Sequence, residues 1–125
     1  MQTKKTILVV DSSDASLSIT KEVLERDCNI MTTSSCAKAI ELMDKNKPDL
    51  ILIDITTSEV DGFAFLENLK NIERHKCSPV IFLTARCDED LEFQGRLLGA
   101  VDFITKPFCA ITFRKRVELH LPQFS

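Results

Sequence analysis

Asp49-Leu-Ile-Leu-Ile-Asp54-Ile-Thr-Thr-Ser-Glu-Val-Asp61-Gly62 holds four consecutive aliphatic residues, Leu50 to Ile53, that deliver a carboxylate, Asp54, to their end. An aliphatic run this short, between polar flanks, reads as a buried strand. In an open parallel sheet, chemistry gathers outside the carboxyl ends of the strands, which makes Asp54 a candidate reactive group. An Asp after a strand is also an ordinary turn former or helix cap, so the rest of the chain must decide.

Working outward, the same unit recurs on both sides. Thr6 to Val10 is an aliphatic run ending at Asp11. Ser12-Ser13-Asp14 then offers N-caps for a helix with apolar Leu17, Val23 and Leu24. A short β-branched segment from Asn29 to Thr33 precedes Ala37, Ala39, Ile40 and Met43 at helical spacing, up to Asn46-Lys47-Pro48. Beyond Asp61-Gly62, Phe63, Leu66, Leu69 and Ile72 mark a third helix, followed by a turn at His75 to Ser78. Pro79 to Thr84 is a fourth buried run. Asp88-Glu89-Asp90 opens a helix with acid where its dipole favours it, and Gly99 is placed to cap its end. Val101 to Thr105 is a fifth strand, leading through Lys106-Pro107-Phe108 to a last helix with Ile111, Phe113, Val117 and Leu121.

Five strands alternating with five helices require parallel pairing through right-handed crossovers. The expected fold is α/β: a doubly wound, five-stranded parallel sheet of flavodoxin-like order 2-1-3-4-5 in a three-layer (βα)5 sandwich. Its switch point lies between strands 1 and 3. Asp11 and Asp54 end those strands and are expected side by side in one crevice, with Thr84 and Lys106 from strands 4 and 5.

Composition agrees. A chain of 125 residues, 44% of them hydrophobic, fills one core and has no room for a second domain, so residues 1–125 read as a single domain. No apolar run approaches the roughly 20 residues that span a bilayer, and Met1-Gln2-Thr3-Lys4-Lys5 leads into no signal-peptide core; a cytoplasmic location without membrane contact is expected. A net charge of −3 argues against direct nucleic-acid binding. The basic cluster Arg114-Lys115-Arg116 reads as a solvated face or end of a helix. Cysteines at 28, 36, 77, 87 and 109 form no Cys-x-x-Cys pair, so they read as small core or surface thiols rather than a zinc site or disulfide framework.

Two adjacent carboxylates repel unless a cation lies between them, and magnesium takes oxygen ligands of this kind, with waters and phosphate oxygens completing its shell. Lys106 adds a mobile positive charge and Thr84 a hydroxyl donor. These are groups able to hold a phosphoryl moiety attached to Asp54. At this point the sequence resembles, over essentially its whole length, the receiver domain of two-component response regulators. The resemblance rests on Ile-Leu-Val-Val-Asp11, on Asp54 with Asp61-Gly62 seven and eight residues on, on Leu83-Thr84-Ala85, and on Gly99-Ala-Val-Asp-Phe-Ile-Thr-Lys106-Pro107-Phe108.

That resemblance implies that Asp54 accepts a phosphoryl group from a phosphohistidine on a partner histidine kinase or phosphotransfer protein. Asp11, Asp54 and the backbone carbonyl of Thr56 would hold Mg2+. Lys106, its peptide to Pro107 cis, would pair with the phosphoryl oxygens. Thr84 would swing toward the phosphoryl group, and Phe103 occupies the aromatic switch position. Catalysis would extend at most to self-phosphorylation from phosphodonors and autodephosphorylation. The surface of helix 4, strand 5 and helix 5 would be read by a downstream output domain or protein, or pair with a second copy through helices 4 and 5.

The sequence departs from the family pattern at three places. Ser12 stands where receivers usually carry a second acid, and losing even an outer-shell partner typically costs about 10 to 100-fold in metal affinity. Asp14, two residues on, reads as a first-turn helix residue. Thr57-Ser58 replaces the common Met-Pro, and Arg86 lies where a side chain influences access to the phosphoryl group. Two functions therefore stand: a phosphorylation-controlled receiver, and a degenerate receiver acting as a phosphate-independent protein-interaction module. A phosphatase of the haloacid dehalogenase type would need an acid where Thr56 stands. Arg116-Val117 with His120-Leu121 resembles receivers joined to kinase or cyclase modules, so the chain reads as a stand-alone regulator or a receiver from a longer protein.

Overall fold

A computed structural model describes residues 4–56, 61–86 and 88–121. Thr57, Ser58, Cys87 and Pro122 lie outside the described residues. Strands β1 (Lys5–Val10), β2 (Cys28–Thr33), β3 (Leu50–Asp54), β4 (Val80–Thr84) and β5 (Asp102–Thr105) alternate with helices α1 (Asp14–Leu24), α2 (Cys36–Lys45), α3 (Gly62–Lys70), α4 (Glu89–Leu97) and α5 (Ala110–His120). All strands are parallel, in the order β2-β1-β3-β4-β5. This is the doubly wound sheet that the repeated unit implies.

The central strands carry aliphatic runs because both of their faces are covered. Leu8, Val10, Ile51, Ile53, Val80 and Phe82 pack with Ala39, Met43, Phe65, Leu66 and Leu69 of α2 and α3. Their neighbours in sequence, Ile7, Val9, Leu50, Leu52, Ile81 and Leu83, turn to the other face and meet Leu24, Phe113 and Val117 of α1 and α5. Alternate residues thus feed two cores, and polar groups gather at the strand ends.

The local signals work as their chemistry dictates. Ser13 caps α1, its side chain accepting from Ser16 N, and Asp14 is the first helical residue. Asp61 and Asp88 cap α3 and α4 through their carboxylates. Gly99 follows α4 at φ 106°, a left-handed conformation that glycine adopts without steric cost. Gly62 is required for a different reason: a Cβ there would lie 2.6 Å from Ile55 Cγ2, so a larger residue would push α3 off the sheet.

Some expectations shift. β5 begins at Asp102, leaving Val101 in the preceding bend, and Ile72 and Leu121 lie just past the ends of α3 and α5 while still packing on the cores. Ile111, expected on the apolar face of α5, is exposed; Phe113 and Val117 alone bury that helix. Cys28 is buried, Cys36 half-buried, and Cys77 and Cys109 exposed, all free thiols.

Candidate functional site

The register aligns the candidate residues. Val10 of β1 pairs with Ile53 of β3, so Asp11 and Asp54, one residue further on, leave the sheet side by side. Both carboxylates are buried, with 4% and 6% side-chain exposure, too little for bulk water to neutralise them. Thr84 ends β4 and pairs with Thr105 of β5, and Lys106 N donates to Thr84 O at 2.7 Å, which brings Lys106 over the same edge. The Lys106–Pro107 peptide is cis, as the resemblance implies.

The Lys106 ammonium is the hub. Its Nζ contacts Asp54 Oδ2 directly, lies 3.5 Å from Asp11 Oδ2, and donates to Ser16 Oγ on α1. The outer oxygen of each carboxylate is fixed by backbone: Thr56 N donates to Asp54 Oδ1 at 2.7 Å, and Ser13 N to Asp11 Oδ1 at 3.0 Å. Asp54 therefore points one oxygen at its own loop and one into the crevice. Thr56 Oγ1 accepts from Ala85 N at 3.0 Å and so ties the loops after β3 and β4 together.

Three expected residues contribute less directly. Thr84 is fully buried and its hydroxyl accepts from Arg86 N at 3.0 Å, so it is turned to its own loop rather than bonded to Asp54. Phe103 is 5% exposed and packs edge-on to Phe82, with centroids 6.3 Å apart. Arg86 is exposed, and its guanidinium lies 3.8 Å from Asp88.

Two features escaped sequence reasoning. Ser16 meets Lys106 across 90 residues of chain, and nothing local to either residue announces it. Arg116, read as part of a solvated basic cluster, instead forks onto Asp102 at the start of β5 through Nε at 3.2 Å and Nη2. It also donates to Phe103 O at 3.2 Å, while His120 Nε2 lies 3.1 Å and Arg96 Nη2 3.7 Å from the same carboxylate. The signal for the Arg116 contact was Asp102 itself, an acid starting a buried strand in need of a cation. Lys115 is exposed, as a solvated face requires.

A parallel sheet whose central strands present two buried carboxylates under a lysine defines a class of signalling domain, and the comparisons agree. The model of the response regulator receiver domain matches residues 7–118, and the chain belongs to that family. It is 36% identical over 117 residues to the transcriptional regulatory protein YvrH of Bacillus subtilis, covering 92% of this chain and 48% of that protein. It is 31% identical to histidine kinase P4 of Formosa agariphila, over 92% of this chain and 8% of that protein. The crystal structure of a response regulator from Thermotoga maritima superimposes with a TM-score of 0.84 at 27% identity, covering 94% of this chain and 98% of that one. The chain thus spans about half or less of the curated relatives it matches. Among the described residues no helix is long and apolar enough to cross a membrane.

Proposed function

We propose that this receiver domain accepts a phosphoryl group on Asp54 and uses it to switch a protein-binding surface. The observation that carries the reading is the convergence of Asp54, Asp11 and Lys106 at the carboxyl edge of β1, β3 and β5. In the transfer, an Asp54 Oδ atom bonds to phosphorus as the bond from phosphorus to the donor imidazole nitrogen breaks, and the imidazole takes its proton from solvent. The oxygen that attacks is Oδ2, which faces the crevice, while the Thr56 N–H holds Oδ1 and fixes the carboxylate plane. Lys106 follows the new negative charge from carboxylate to phosphoryl oxygens. Thr84 exchanges its bond to Arg86 N for a phosphoryl oxygen, and Phe103, packed on Phe82, moves with that loop.

Receiver domains generally bind magnesium for phosphorylation, and the donor set here fits it: buried oxygens from two carboxylates, a hard-ligand pair that such an ion takes together with waters. Asp11, Asp54 and the Thr56 carbonyl would hold it. When bound, it supplies neutralisation of phosphoryl charge. Receivers also act with histidine kinases and output domains; we assign the donor role to a phosphohistidine of such a kinase or phosphotransfer protein. The readout falls to the α4–β5–α5 face, where Phe93, Leu97 and Leu119 are exposed, as a contact for a downstream protein or a second copy.

Incubation with magnesium and a small phosphodonor, followed by intact-mass measurement, is expected to add one phosphoryl group to the wild type and none to Asp54→Asn. No adduct at any magnesium concentration, with any small donor or kinase, would reject this reading. It would leave the phosphate-independent interaction module that Ser12 favours. Unchanged size by light scattering, with and without a phosphoryl mimic, would remove pairing through α4 and α5.

A further inference from the structure

We propose that Phe82 is the link between the end of β4 and helix α4: its ring is the seat on which α4 rests, and a displacement on one side of the ring is passed to the other. Phe82 is then a positioning residue, touching none of the reacting groups. The proposal rests on the phosphoacceptor reading only for what sets the link in motion.

Phe82 is fully buried on β4, two residues before Thr84, and so faces the same side of the sheet as Thr84. Three other elements close on its ring. Phe103 of β5 meets it edge-on with centroids 6.3 Å apart, and Phe63 of α3 does so at 5.2 Å. Two glycines complete the enclosure. A Cβ on Gly95 of α4 would lie 2.9 Å from Phe82 Cδ2, and one on Gly62 of α3 would lie 3.2 Å from Phe82 Cε1. Glycine lets both helices close on the ring, and a ring packed this tightly transmits a push rather than absorbing it.

Helix α4 depends on this seat more than any other helix does. Gly95 is its one buried residue, whereas α1, α2, α3 and α5 bury Leu24, Met43, Phe65 and Phe113. Leu91 and Leu98 add half-buried contacts to the same core, while Phe93 and Leu97 face outward. A helix held by so little apolar area is the element that yields when the ring shifts. The atoms nearest a Gly95 Cβ belong to Phe82 and Phe63, so the path from α4 to Phe103 runs through the ring between them.

The first test uses the whole chain with no phosphodonor. The Arg86 amide, bonded to the Thr84 hydroxyl, reports whether that hydroxyl is still turned to its own loop. Gly95→Ala, whose Cβ presses on the ring, is expected to speed hydrogen exchange at Arg86 by about three- to tenfold. In a Phe82→Leu background, which removes the ring edge, the same substitution is expected to change that rate by less than about twofold. Phe82→Met, which also lacks a ring, takes the place of Phe82→Leu if the latter does not fold by circular dichroism. The second test adds beryllofluoride with Mg2+ as a phosphoryl mimic. The amide shifts it induces from Leu91 to Leu98 are expected to fall at least about threefold in Phe82→Leu, with the bound mimic followed by its 19F resonance.

Arg86 exchange that Gly95→Ala leaves unchanged, or changes equally with and without the Phe82 ring, would overturn the proposal, since Phe82 would then be a packing residue only. An undiminished α4 response to the bound mimic in Phe82→Leu would overturn it too. The phosphoacceptor reading fails separately, by the absence of an adduct on Asp54 in the mass measurement, and the phosphate-free test still decides the link.

Discussion

The two ends of β5 solve opposite electrostatic problems. At its start, one carboxylate, Asp102, is surrounded by donors: Arg116 forks onto it, Arg96 lies 3.7 Å away and the His120 imidazole 3.1 Å away. At its end, one cation, Lys106, is shared by two carboxylates and a hydroxyl. Burial pushes the Asp102 carboxyl up, but the Arg116 bond, the Phe103 N–H and His120 together outweigh it and hold the group below its ordinary value. The Asp102 corner is over-supplied with donors and is closed. The Lys106 corner retains uncompensated negative charge, which is what the proposed uptake of a cation and a phosphoryl group requires. Structural ion networks and reactive ones are built from the same residue types here, and the ratio of charges tells them apart.

The comparison breaks most easily at Ser12. Ser12→Asp adds a third acid to the Lys106 end, where the family pattern carries one. Divalent-cation affinity is expected to rise by at least about tenfold and toward 100-fold, measured by calorimetric titration with Mg2+. An unchanged affinity would mean that the residue after Asp11 does not reach the crevice. Next in size is Asp102→Ala, which strands Arg116 beside Phe103 O. Because both arginines stay partly in water, the cost is expected at about 2 kcal/mol of unfolding free energy rather than the larger penalty of a fully buried pair, read from urea midpoints.

Asp54→Asn sharpens the contrast from the other side. It leaves Lys106 paired one-to-one with Asp11 and still bonded to Ser16, so unfolding is expected to change by less than about 1 kcal/mol, although phosphorylation is lost completely. A large destabilisation would make Asp54 a structural keystone like Asp102.

Much of this arrangement was legible before any coordinates. Alternating aliphatic runs and caps at Ser13, Asp61 and Asp88 specify five βα units, because period and capping chemistry are local. With the flavodoxin-like order 2-1-3-4-5 expected for such a chain, strand ends converge, which is why Asp11, Asp54 and Lys106 could be placed in one crevice from sequence. What could not be read depends on side-chain direction across the fold. The Thr84 hydroxyl turns to Arg86 N, Ser16 turns to Lys106, and Arg116 turns inward to Asp102 rather than out to water. A helical arginine next to the exposed Lys115 carries no local mark of which side it will serve, and Ile111 shows the reverse error, an apolar residue left exposed at the first turn of α5.

The smallest effect concerns protons at the closed corner. Asp102 is held below the ordinary 3.8 of an aspartate, so its folded form binds its proton more weakly than its unfolded form. The stability it contributes is therefore complete above the unfolded value and is lost as pH falls through the lower folded one. The gap in urea midpoint between wild type and Asp102→Asn, measured in a His120→Gln background to keep that imidazole out of the comparison, is expected to be constant from about pH 7 to 5 and to shrink below about pH 4. A gap that persists or widens in acid would show that the arginines do not act on the charged carboxylate, and the distinction between a donor-saturated and a donor-poor end of β5 would lose its basis.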